Sequence, residues 1–185
     1  MPPIGKRAAA PSPALLAFYN AVPNVFWSVL SLVPLCVFCY QHMARPWLYG
    51  LLAVSLLAYA LPASWFRYWQ LSSKPAPYRK LRVPLVNRFT QHGDFVNRLI
   101  RHQYPNYRHV RHRTSAAALR STSYHQERFH VVLFLFFLLS CFYAAAHGHW
   151  KWAGILALIN AGYNLYPIWL QQYLRVRLGW QLPTA

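Results

Sequence analysis

The chain has 185 residues, of which 56% are apolar, 17% aromatic and only 11% charged, with 19 Lys and Arg against two acids for a formal charge of +17. A soluble domain carries about 25% charge with both signs mixed, and disorder requires few aromatics, so composition excludes both and points to a membrane protein. The two carboxylates, Asp94 and Glu127, leave little room for paired-acid glycoside hydrolysis or a carboxylate-bridged di-iron bundle.

In chain order, a short basic, Pro/Ala-rich tail (1–21) carries Lys6 and Arg7 and has no small-residue cleavage site after a short apolar core, so no cleaved signal peptide is expected. Four apolar stretches of spanning length follow: 22–40, 46–66, 129–146 and 152–173. At 1.5 Å per residue, about 18 to 22 residues cross roughly 30 Å of hydrocarbon. Pro34 lies inside the first stretch; Trp47, Trp65 and Trp69 flank the second as an aromatic belt. Cys36, Cys39 and Cys141 all fall in apolar runs and read as small buried residues rather than metal or redox groups.

Between the second and third stretches, residues 67–128 hold 13 of the 19 basic residues and both acids. The loops on the other side carry one Arg (Arg45) and one Lys (Lys151), while Arg175 and Arg177 follow the last stretch. The positive-inside rule then places both termini and the long segment in the cytoplasm. Pro75, Pro77 and Pro84 predict an extended opening to this segment. Residues 89–103 (FTQHGDFVNRLIRHQ) predict an amphipathic interfacial helix with a basic polar face, ended by Tyr104-Pro105-Asn106. Residues 114–126 are a weaker helical candidate leading into the third span. The expected fold is an all-α integral membrane protein of about four transmembrane helices in one domain over 1–185, with spans in 22–66 and 129–174 and a tail over 175–185.

Three constellations carry possible chemistry. Glu127 and His130 are three apart at the entry to the third span, so they share a helix face. A carboxylate accepting the ring N–H would fix the tautomer of His130 and make it a general base; the alternative is an interfacial pair, or Glu127 bonded to an arginine. His92-Gly93-Asp94 with Asn97 one turn on is a second possible site, with Asp94 equally readable as a helix cap. Asn160 and Asn164 share a face of the fourth span, as packing contacts or as the lining of a cavity. His109 and His112 stand without the H-x-x-x-H runs of iron oxygenases, so no metal site is expected. The basic excess suits anionic phospholipid, or a polyphosphate ligand such as coenzyme A held by Arg79, Lys80, Arg82 and Arg88 or by Arg108, Arg111 and Arg113. Nucleic acid is not an expected partner.

Four blocks resemble the glycosyl-diaponeurosporenoate acyltransferases of staphyloxanthin-type carotenoid biosynthesis. They are Pro62 with Phe66-Arg67; Phe89-x-x-His92-Gly93-x-Phe95-x-Asn97; Glu127-x-x-His130; and Asn164-x-Tyr166-Pro167-Ile168 followed by Gln171-x-Tyr173-x-Arg175-x-Arg177-Leu178. The sequence departs from that pattern at Asp94 and Leu174, and the first span lies outside it. The resemblance implies transfer of a fatty acyl group from an acyl thioester, with acyl-CoA as co-substrate and no cofactor, to a sugar hydroxyl of a carotenoid glycoside or similar amphipathic lipid. It implies catalytic roles for His130, Glu127, His92 and Asn97. Asn164, Gln171, Tyr173, Arg175 and Arg177 would bind substrate, the two arginines holding donor phosphates. A non-catalytic protein that binds anionic lipid or a partner through its basic face is the alternative.

Overall fold

In the computed structural model, residues 11–90, 93–105, 107 and 114–179 are described. Among them every regular element is helical. Helix α1 (Pro13–His42) begins where the Ser12 side chain accepts the Leu15 N–H at 3.2 Å, so one otherwise orphaned donor is satisfied. Pro23 and Pro34 lie within it. One long face of α1 leaves Phe18, Val22, Val25, Phe26, Val29, Leu30 and Val33 exposed. An apolar stripe of that length suits contact with lipid.

The second predicted span is not one helix. Helix α2 (Arg45–Leu57) has 13 residues, which reach about 20 Å. Two 3-10 turns, Ala58–Ala60 and Ala63–Arg67, follow it. Leu61 is extended (ψ 132°) because Pro62 disfavours helical geometry in the residue before it.

The predicted extended opening of the basic segment is instead helical. Two short helices, α3 (Pro75–Lys80) and α4 (Val83–Val86), each begin with Pro in the first turn, where a missing N–H costs nothing. Arg82 between them takes a left-handed backbone (φ 55°). The amphipathic element is α5 (Asp94–Gln103), shorter than predicted. Its Val96 and Ile100 pack on Leu16 and Tyr19 of α1, while Phe95 and Leu99 stay exposed. Gly93, not Asp94, is the cap residue of α5. A Cβ on Gly93 would stand 2.0 Å from the Asn87 carbonyl oxygen and 2.7 Å from that of Thr90, so the backbone turns back on itself too closely for any side chain.

Helix α6 (Thr114–Ala146) joins the weak candidate and the third span into one 33-residue helix, about 50 Å long. A tight turn at Gly148 (φ 77°) leads into α7 (Trp150–Asn160). The fourth predicted span then widens into a π turn over Ala161–Leu165 before α8 (Tyr166–Arg177). Pro167 lacks the N–H that would bond the Tyr163 carbonyl, and its ring would crowd that carbonyl in a regular helix. The π turn lies where that crowding would fall.

Two stretches are long and apolar enough to cross a membrane by length and composition, Pro13–His42 and Ser121–Ala146. The four-span arrangement is therefore not reproduced as four unbroken helices. Helices α6 and α7–α8 form an antiparallel hairpin, with α1 and α2 packed beside it. One apolar cluster joins Leu35, Phe38, Phe136, Phe137 and Leu156. A second, at the other end, joins Tyr78 and Val83 to Leu170 and Tyr173.

Candidate functional site

The hairpin register decides which polar groups meet. Phe134 faces Asn160, His130 faces Asn164, and Glu127 faces Gln172 and Arg175. Two separate polar networks result.

The first runs through His130. The Phe134 carbonyl can only accept, so Asn160 presents its Nδ2 to it at 3.1 Å. The Oδ1 of Asn160 then accepts Asn164 Nδ2 at 2.9 Å. Asn164 is left with Oδ1 facing His130 Nδ1 at 3.4 Å. Each step fixes the next, because an amide has one donor end and one acceptor end. The proton of a neutral His130 therefore belongs on Nδ1, and Nε2 keeps its lone pair. Phe129 and Tyr163 flank the imidazole edge-on, with ring centroids at 5.3 and 5.8 Å.

The second network holds Glu127, whose side chain is 0% exposed. Its Oε2 pairs with Arg175 Nη2 and its Oε1 accepts Gln172 Nε2 at 2.8 Å. Arg175 also donates to Ser123 Oγ at 3.2 Å and lies over the Tyr124 ring at 4.4 Å. Gln172 Oε1 accepts the Leu71 N–H at 3.1 Å; the Tyr78 hydroxyl lies 3.3 Å from the same oxygen, and the Ser72 carbonyl competes for its one hydrogen at 2.9 Å. The Tyr78 hydroxyl in turn accepts the Ser72 N–H at 3.1 Å. This network ties the 69–78 stretch to both helices of the hairpin.

Two expectations are corrected by this geometry. Glu127 does not orient His130: the imidazole bonds Asn164, and the carboxylate is taken by Arg175 and Gln172. A buried carboxylate needs a cation within reach, and the register supplies Arg175. For the same reason Arg175 is not free to hold donor phosphates; it is buried and spent on Glu127, Ser123 and Tyr124.

The remaining predicted residues fall in different places. Arg177 is exposed at the end of α8. Tyr173 is buried against Tyr78, with ring centroids at 6.0 Å. Gln171 is half-buried and its carbonyl accepts Ser123 Oγ at 3.3 Å. Asn97 is half-buried on α5, the helix that packs on α1. His92 lies outside the described residues, as do His109, His112, Arg108, Arg111 and Arg113. Among the described residues no group of three His, Cys, Asp or Glu is placed to hold a metal ion. The three cysteines are free thiols.

Sequence reasoning missed Gln172, Tyr78 and Ser123. A signal for the first existed: Gln172 and Arg175 are three apart, so they share a helix face, and an acid buried in an apolar helix needs such a face. Asn160 was seen as a partner of Asn164 but not as the link to a backbone carbonyl.

A family model described as glycosyl-4,4'-diaponeurosporenoate acyltransferase matches residues 62–181. The matched stretch takes in both networks and leaves α1 and α2 outside. No curated protein and no solved structure matches the chain.

Proposed function

The chain belongs to the glycosyl-4,4'-diaponeurosporenoate acyltransferase family, and from that premise we propose that it moves a fatty acyl group from an acyl thioester, acyl-CoA being the donor, to a hydroxyl of a glycosylated carotenoid or similar lipid. The observation that carries the reading is the directed chain from the Phe134 carbonyl through Asn160 and Asn164 to His130. It leaves Nε2 as the basic atom, and the Glu127–Arg175 pair is the clamp that holds the hairpin around it.

In this reading Nε2 takes the proton of the acceptor hydroxyl as its oxygen attacks the thioester carbonyl carbon. The new C–O bond forms, the C–S bond breaks, and the departing thiolate recovers the proton from Nε2–H. His92 and Asn97 polarise the thioester carbonyl. Arg177 and the exposed Arg79, Lys80, Arg82 and Arg88 meet the donor phosphates. The protein is a multi-pass membrane protein with both termini cytoplasmic, so that the basic segment faces the donor.

Purified protein in lipid nanodiscs, given radiolabelled acyl-CoA and a carotenoid glucoside, tests this. His130→Ala is expected to lower turnover by about 10²–10⁴-fold, the usual worth of a general base. Undiminished turnover in a folded His130→Ala protein would remove the imidazole from the mechanism.

A further inference from the structure

Two polar side chains in the first two helices are satisfied within their own helix. Asn20 donates to the Leu16 carbonyl at 2.7 Å, and Ser55 in α2 does the same to Leu51 at 2.7 Å. This is the default for a polar side chain inside an apolar helix. Ser28 departs from it: its Oγ lies 3.0 Å from the hydroxyl of Tyr163, in the π turn between Asn160 and Asn164. Beside Ser28, Trp27 Nε1 donates to the Phe89 carbonyl at 3.0 Å, which fixes the height of α1 against the Asn87–Phe89 turn.

We propose that the Ser28–Tyr163 hydroxyl pair is a subsite for a second hydroxyl of the acceptor, so that α1 sets which hydroxyl of a polyol is acylated. This rests on the acyl-transfer reading above. The bond between the two hydroxyls uses one of their two hydrogens. The other hydrogen and the remaining lone pairs are uncommitted among the described contacts, and both side chains are only half-buried. A group that both donates and accepts at neutral charge is the complement of an alcohol. The Tyr163 ring stands edge-on to His130 at 5.8 Å, which puts the pair and the imidazole beside one another; in this proposal a hydroxyl held by the pair presents a neighbouring hydroxyl of the same sugar to Nε2. A single-hydroxyl acceptor has nothing to place there. Ser28 lies outside the family-matched stretch, so this specificity element is an addition to the matched core.

Two acceptors with the same apolar tail separate the possibilities: an alkyl glucoside and the corresponding alkanol. Ser28→Ala and Tyr163→Phe each keep the packing and remove one hydroxyl. Each is expected to lower kcat/KM for the glucoside roughly tenfold, to spread acylation over several sugar positions, and to leave the alkanol unchanged. The double variant should lose no more than either single one. Equal losses on both acceptors, or none on either, overturn the proposal. Equilibrium binding of the glucoside in nanodiscs reads the subsite without turnover. If the wild-type protein transfers no acyl group, the binding contrast between glucoside and alkanol still decides the subsite, and only the acyl-transfer reading falls.

Discussion

The Glu127–Arg175 pair yields the sharpest expectation. Arg175→Met leaves a fully buried carboxylate with only neutral donors among the described residues, the Gln172 amide and the Trp69 indole. Glu127→Leu leaves a buried guanidinium with, among the described residues, only Ser123 Oγ and the Tyr124 face. Removing one partner of a buried pair costs about 3–5 kcal/mol, whereas replacing both with apolar groups of similar size is close to neutral. For a chain of this size each single change corresponds to a fall of roughly 6–20 °C in the unfolding midpoint. The double variant, Glu127→Leu with Arg175→Met, should recover most of that loss. Because the carboxylate does not touch His130, the double variant should also retain most of its acyl transfer. Unfolding in nanodiscs, followed by tryptophan fluorescence, supplies the midpoints. Single variants with unchanged midpoints, or a double variant whose loss equals the sum of the singles, would refute the clamp. A stable double variant without activity would return Glu127 to the chemistry.

Asn164→Leu removes the acceptor of His130 Nδ1 and should lower kcat roughly tenfold, as expected for a lost buried hydrogen bond, with little change in KM for the donor; steady-state kinetics checks it. Gly93→Ala drives a Cβ into the Asn87 carbonyl and should destabilise by about 1–3 kcal/mol, visible as a lower unfolding midpoint. Burial raises the Tyr78 hydroxyl above its ordinary value of 10.0, so the folded state favours the neutral phenol. That contribution is complete below pH 10 and is lost as pH rises through the folded value; Tyr78→Phe should flatten the fall in midpoint above pH 10. Arg177→Gln should raise KM for acyl-CoA severalfold and weaken its dependence on salt, leaving KM for the acceptor unchanged.

Helical content and the α6 span were legible because apolar length and charge placement are local signals. Thr114 to Gln126 reads as helix for the same reason, and so does its continuation into Phe129–Ala146. The break at Pro62 was equally local, but the apolar run continues to Phe66 and hides it. The Glu127–His130 pairing failed for a different reason. Spacing along α6 shows that the two side chains lie near one face, but not what the opposing helix brings to each. That depends on the hairpin register, which joins residues 34 to 48 positions apart. Asn160 and Asn164 were visible as a pair, yet their direction is set by the Phe134 carbonyl, which no side-chain pattern reveals. Ser28 was invisible in sequence because its partner lies 135 residues away.

The π turn has a consequence for phase. Asn160 and Gln172 are 12 residues apart, and at 100° per residue a regular helix would set them about 120° apart around its axis. Both point at α6: one bonds the Phe134 carbonyl, the other Glu127. A π turn acts as one inserted residue, which brings the two directions to within about 20–30°. The chain therefore carries a single-residue insertion as a working part. Were the turn to tighten into regular helix with all its residues kept, the Glu127 clamp would rotate away from the His130 relay by about a third of a turn; deleting Gly162 would close the π turn and leave the two in phase.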